Sequence, residues 1–224
     1  MRIWKFLKDD RRLGYGDGRL VEVGRTLTVQ GEVRLCERGI HGSVVARDAL
    51  WYAPGTVVAR GEAGGMIDTG TDKLACAEFT PLVIVDALDT LRHFARLCAL
   101  DVAHLWSPAP DTVRFLRTGD LALRQAAFRD ASSAAAEAAA PAEAAWAAAE
   151  EDAWAAQAAW AAETAVQAAA WAASCAAEAT AEAAWAAEAC PAKATAQART
   201  EIKGKQRRRL ERMLHELIRK ESTK

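Results

Sequence analysis

Residues 131–190 constrain this chain more than any other stretch, because 35 of those 60 residues are alanine. Alanine is the best helix former, and glycine and proline are the main helix breakers. No glycine lies between Gly119 and Gly204, and Pro141 and Pro191 bracket the tract. The composition predicts one helix over 142–190, about 70 Å long at about 1.5 Å per residue. Alanine alone makes no core, so the five tryptophans decide how the tract is used: Trp146, Trp154, Trp160, Trp171 and Trp185. At about 100° per residue all five fall within an arc of roughly 140°. On a heptad count Trp171 and Trp185 share position a, Trp146 and Trp160 share d, and Trp154 falls at e, the pattern of a helix-pairing seam. Glu143, Glu150 and Glu178 also land at a, which a regular coiled coil avoids. Compositional drift is the bland alternative, in which Ala, Glu and Trp recur without selection. Magnitude weighs against leaving the rings in water. Each buries roughly 200 Å², so five contribute on the order of 20 kcal/mol at about 25 cal/mol per Å². The expected partner is the head of this chain, a second copy, or another protein.

Charge divides the chain further. The net charge is −1, but residues 131–192 hold nine acidic and no basic side chains, and residues 193–224 hold 11 basic and four acidic ones. The expected organisation is a head over 1–85, a helical connector over 86–130, the acidic Ala/Trp helix over 131–192 and a basic amphipathic tail over 193–224. The five cysteines, Cys36, Cys76, Cys98, Cys175 and Cys190, are odd in number and lack close paired spacing, which points to a reducing compartment. Met1–Lys8 is too short and too charged for a secretory signal, and the polar groups in the Ala tract rule it out as a membrane span. The expectation is a soluble, cytoplasmic protein.

The head reads as short strands punctuated by turns, giving an α+β fold class. Ile3–Leu7, Leu20–Val23, Thr26–Val29, Glu32–Leu35, Thr56–Arg60 and Leu74–Phe79 are β-compatible, and Val45–Trp51 reads as a short helix. Gly61, Gly64 and Gly65 with Asp68 suggest a hairpin turn. Beyond the head, Leu88, Leu91, Phe94, Ala95, Cys98, Val102 and Leu105 recur at helical spacing. Ser107–Pro110 stops that helix, and Asp111 is the expected cap of the next. In the tail, Leu210, Met213, Leu214, Leu217 and Ile218 share one helix face.

Chemistry concentrates in Cys36-Glu37-Arg38-Gly39-Ile40-His41. Cys36 and His41 could form a thiolate–imidazole pair if a turn at Gly39 brings them together. The bland reading makes Cys36 a small buried group at the end of a strand through Leu35, with His41 bonded to a backbone carbonyl. A zinc site needs three or four ligands at defined spacing, and none is visible, so neither a metal nor a cofactor is expected. His93 and His104 lie three helical turns apart, too far for one metal. No phosphate loop or dinucleotide fingerprint is present. An enzyme or small-ligand binder in the head would need Cys36, His41, Asp72 and Lys73 to converge in a cleft. In the tail, Arg207, Arg208, Arg209 and Arg212 suit nucleic-acid phosphates, an anionic surface, or the chain's own acidic segment.

The ordered set of head segments resembles a protein family found in phage and prophage genomes, mostly without known function. The segments are Met1–Leu7, Val23–Leu27, Leu35–His41, Asp48–Gly55 and Asp72–Leu74, followed by a helix like Leu91–Trp106, Arg117–Asp120, an Ala/Trp tract and a short basic helix like Gln206–Leu214. The likeness covers most of the chain. Relatives often carry cysteine or alanine after the Gly-Ile-His step, where this chain has Gly42-Ser43. The resemblance implies a phage origin and supplies no reaction. The leading expectation is a non-enzymatic interaction or assembly protein that self-associates, or binds a partner, through the tryptophan face. The alternatives are a head-borne ligand binder or enzyme, and nucleic-acid binding by the tail.

If the tryptophan face is seated on a partner helix, tryptophan emission is blue-shifted and only partly quenched by acrylamide. Water-like emission with complete quenching would reject the seam.

Overall fold

The computed structural model of the chain describes residues 1–102, 108–127, 129 and 192–223. The tryptophan tract, and with it the expected helix over 142–190, lies outside the described residues, as does His104. The fold is α+β. The head holds β1 (Arg2–Leu7), β2 (Leu27–Thr28), β3 (Ile40–Gly42), α1 (Ala46–Trp51), β4 (Val57–Thr69) and β5 (Leu74–Asp86). Helices α2 (Leu88–Val102) and α3 (Pro110–Thr118), a 3-10 turn at Leu121–Leu123 and α4 (Ala192–Ser222) follow. The chain divides into two compact units, Met1–Thr90 with Leu210–Lys224, and Leu91–Arg209.

The first unit is built on one antiparallel sheet ordered β1-β4-β5-β2, with β3 also pairing β5. Its spine is the β4–β5 hairpin, two strands of 13 residues that run far past the expected ends at Arg60 and Phe79. Gly61, Gly64 and Gly65 do not form the hairpin turn. They lie inside β4, at two register shifts between Arg60 and Gly61 and between Gly64 and Ile67. Pro81 lies opposite Gly61 at the first shift, where a residue without an N–H is tolerated. The true turn follows Thr69, where the Gly70 N–H donates to the Lys73 carbonyl at 2.9 Å. Leu20–Val23 and Glu32–Leu35 are loops rather than strands, touching the sheet pattern only through isolated bridges Arg12–Leu20 and Arg34–Arg38. Too few residues in either run find a ladder partner to extend beyond a single bridge.

The alternation of β1 decides where each side chain goes. Ile3 and Leu7 join Leu13, Val21, Leu27, Ile40, Leu74 and Phe79 in one buried cluster. Trp4 and Phe6, on the opposite face of the strand, are buried as well. Trp4 sits opposite Arg60 in the ladder, and the guanidinium lies 4.2 Å from the ring centroid. His215 of α4 meets the same indole edge-on, with centroids 5.2 Å apart. Leu210 and Leu214 are fully buried, and Met213, Leu217 and Ile218 half-buried, so the apolar face read from the tail sequence is the packed face.

In the second unit, the helical spacing of α2 is realised as burial of Leu91, Phe94, Ala95 and Cys98. Ala99, Phe115, Leu116 and Ala127 form a separate apolar cluster. Asp111 does not cap α3. Ala109 occupies the cap with Pro110 in the first turn, and Asp111 lies within that turn, where the helix dipole still favours a carboxylate. Gly119, at φ 72°, ends the helix, and Asp120 accepts from the Ala122 N–H at 3.0 Å to start the next turn. Asp101 accepts from Lys205 Nζ at 2.9 Å and from both Arg209 terminal nitrogens at 2.8 and 3.1 Å.

A Cβ at Gly61 would press on the Thr80 carbonyl and lie 2.7 Å from the buried Phe79 ring, whereas at Gly64 the nearest atom is the Glu78 carboxylate at 3.3 Å. Gly61→Ala is therefore expected to cost about 1–3 kcal/mol, and Gly64→Ala much less. Urea unfolding of both variants checks this, and equal losses would contradict the bulge geometry.

Candidate functional site

Lys5 is the residue from which the site is best built. It lies between Ile3 and Leu7 on the core face of β1, a costly position for an ammonium. Its Nζ donates to the His41 carbonyl oxygen at 2.6 Å. Burial pulls its pKa from 10.5 down to about 8, against the opposing pull of Cys76 and Asp17. Beside it opens a cavity of about 580 Å³, lined by residues of the first unit alone, from Trp4 to Lys73. That is within the usual range for small-molecule sites.

Cys36, His41 and Lys73 all line this cavity. The Cys36–His41 loop is not a nucleophile–base pair. His41 Nε2 accepts the backbone N–H of Cys36 at 2.9 Å, so that ring nitrogen closes the loop instead of facing the thiol. Burial, then the charges of Lys5 and Lys73, hold His41 below the ordinary imidazole value, while a hydrogen bond with the Gly39 backbone opposes them. Accepting at Nε2 requires that nitrogen to be unprotonated, which the lowered value favours. Leu35 and Cys36 do not end a strand. They lie in a tight turn in which the Glu37 and Arg38 N–H groups both donate to the Arg34 carbonyl. Cys36 adopts φ 67° and is exposed, not buried. Gly39, at φ 141°, approaches so closely that a Cβ would lie 2.9 Å from Ala75.

Asp72 stands behind the cavity wall. It accepts from the Tyr52 hydroxyl at 2.6 Å, which raises the phenol pKa and keeps it protonated. Lys73 Nζ lies 4.2 Å from the centroid of the Tyr52 ring. Burial works against its charge, but hydrogen bonds with the Cys36 thiol and the Tyr52 hydroxyl leave its pKa raised. The four head candidates are thus in one neighbourhood, three on the cavity and Asp72 orienting Tyr52.

The residues that sequence reading missed are Lys5, Tyr15, Asp17, Arg19, Arg38 and Tyr52, which also line the cavity. Only Lys5 left a signal, a lysine inside an otherwise apolar strand. Asp17 and Arg19 form a pair at 2.7 Å for two oxygen–nitrogen contacts, and Arg19 also donates to the Thr28 carbonyl at 2.8 Å. The Arg19 guanidinium holds Asp17 below the usual carboxylate range.

Among the described residues no three His, Cys, Asp or Glu side chains gather as a metal would require, and no helix is long and apolar enough to cross a membrane. Of the tail arginines, Arg209 is bound to Asp101 and half-buried, while Arg207, Arg208 and Arg212 are exposed.

The Lys5 shift has a worked sign. Its folded pKa lies below the unfolded one, so the unfolded chain binds the extra proton between about pH 8 and 10.5. Stability attributable to Lys5 is lowest below pH 8 and rises through that window. Buried Cys76, raised from 9.0 to about 11, works in the opposite direction from pH 9 upward. Lys5→Met is therefore expected to be more stable than the parent at pH 7, with the difference shrinking toward pH 10.5. Denaturant unfolding across that range checks it, and a pH-independent difference would contradict the burial of the ammonium.

No protein-family model, curated protein or solved structure matches this chain.

Proposed function

We propose that the head binds a small anionic ligand in the cavity beside Lys5. One observation carries this reading. Lys5, Arg38 and Lys73 line a single cavity, and none has a carboxylate at ion-pair distance among the described residues. The two carboxylates on the same lining are already engaged, Asp17 by Arg19 and Glu37 by Arg34. Lys5 is desolvated by burial, whereas Lys73 and the exposed Arg38 face the opening, so an anion entering the cavity would meet one buried and two accessible positive side chains. The buried Ser43 hydroxyl, also on the lining, has no hydrogen-bond partner among the described residues, which leaves polar capacity for a ligand. Cys36 and His41 frame this site as structure, and binding needs no reaction from them. Self-association through the tryptophan face is a separate expectation on residues outside the described ones.

Titration calorimetry of the full chain with inorganic phosphate and pyrophosphate tests the reading. Pyrophosphate is expected to bind and to raise the melting temperature by mass action. Lys73→Gln should weaken it about tenfold, which corresponds to about 1.4 kcal/mol. High salt should weaken it in the same direction. Absence of heat with either anion at millimolar concentration, or equal binding of a neutral sugar, would reject the proposal.

A further inference from the structure

Tyr15 is the most exposed large hydrophobic side chain of the head, with 82 % of its surface exposed. It also adopts φ 56°, a left-handed backbone conformation that is uncommon for a bulky residue. Strain of this kind persists only where surrounding contacts impose it, and it concentrates at binding sites. The contacts are visible. The Tyr15 hydroxyl donates to the Tyr52 carbonyl at 2.9 Å, fixing the ring from its far end. Leu13 N–H donates to the Arg19 carbonyl at 2.9 Å and closes the loop at its base. Arg12 reaches the Gly18 carbonyl at 2.8 Å, and the Arg19–Asp17 pair braces the interior. A Cβ on Gly14 would lie 2.8 Å from Pro54, so the loop sits directly on the segment after Tyr52. An aromatic ring is thus pinned in the open at the cavity that Lys5, Arg38 and Lys73 line.

Folding gains little from a ring left in water, and a solvated loop tip has no need of a bonded hydroxyl. Cys36, at φ 67°, is a second non-glycine residue in the left-handed region on the same lining. Of the three non-glycine residues with positive φ among the described residues, Tyr15 and Cys36 line this cavity and Arg11 does not. A pre-fixed aromatic face offers stacking to a flat ring at little ordering cost, and nearby cations offer contacts to an anionic group on the same molecule. The cavity volume of about 580 Å³ suits a molecule carrying both parts.

We infer that the ligand of the head combines a flat aromatic ring with a phosphate-type anion, as a nucleotide does, and that Tyr15 is the platform on which the ring stacks. This rests on the anion-binding reading above and adds the ring to it.

The test compares adenosine diphosphate with pyrophosphate on the full chain by titration calorimetry, in the parent, Tyr15→Ala and Tyr15→Phe. The parent is expected to bind the nucleotide at least about tenfold more tightly than pyrophosphate, within the usual worth of one stacked base. Tyr15→Ala should abolish that advantage while leaving pyrophosphate affinity unchanged. Tyr15→Phe should keep most of it, and the adenine proton resonances should move upfield on binding to the parent and to Tyr15→Phe only. Equal affinities of the parent for the two ligands would overturn the stacking role and leave the anion site standing. Loss of pyrophosphate binding in Tyr15→Ala, or loss of the advantage in Tyr15→Phe, would also overturn it, because the residue would then act through the loop or its hydroxyl. Binding of neither ligand by the parent would overturn both readings together.

Discussion

The ladder between β4 and β5 is the constraint on which the rest of the head depends. β1 pairs along one side of β4, and both β2 and β3 pair with β5, so each strand of the sheet is positioned by the hairpin. The two register shifts in that ladder let glycine and proline sit inside long strands. Such shifts increase local twist and re-aim the side chains beyond them. In this way residues that usually end strands become part of the spine. β1 is held in register by six Cα pairings with β4, and that register sets Lys5 against Ala59 and Trp4 against Arg60.

The site follows from this placement. Lys5 reaches its acceptor because β1 and β3 are both tied to the hairpin, which brings the His41 carbonyl within 2.6 Å. His41 in turn holds the Cys36 turn by accepting a backbone N–H, and the turn carries Arg38 to the lining. Lys73 arrives from the hairpin turn itself. A chain of backbone-directed contacts therefore gathers three cations that are far apart in sequence. None of these contacts requires a catalytic step, which is why the geometry supports a binding site more directly than it supports nucleophilic chemistry. The opposite face is occupied otherwise, with Trp4 between Arg60 and His215.

Local signals in the sequence succeeded where a residue's neighbours along the chain decide its structure. The helix at Ala46–Trp51, the strand at Arg2–Leu7, the burial period of α2 and the apolar face of α4 are all cases in which periodicity or its absence suffices. They failed where pairing decides. Glu32–Leu35 has strand-like residues but only one bridge, while Gly61–Gly64 has turn-like residues and a partner in β5 at every position. Likewise Asp111 had the chemistry of a cap, but Pro110 already supplied a residue suited to the first turn, which moved the cap to Ala109.

For the site, sequence reading singled out Cys36, His41, Asp72 and Lys73, and it posed a thiolate–imidazole pair against a backbone-bonded histidine. It favoured the structural histidine but expected a carbonyl partner, whereas the ring nitrogen accepts the Cys36 N–H, because the partner depends on which atom a single turn brings to that nitrogen. Tyr15 and Arg19 lie in no motif, and Arg38 and Tyr52 lie in segments that sequence reading picked out without assigning them a role; all four became visible as lining only when loops far apart in sequence met around one cavity. Composition and periodicity alone determined the α+β class, the amphipathic tail and the segregation of charge along the chain. The tertiary structure decided which cations share a cavity and which aromatic ring stays exposed beside it. Those features depend on pairing register and loop closure between distant segments, and neither is encoded in any local stretch of residues.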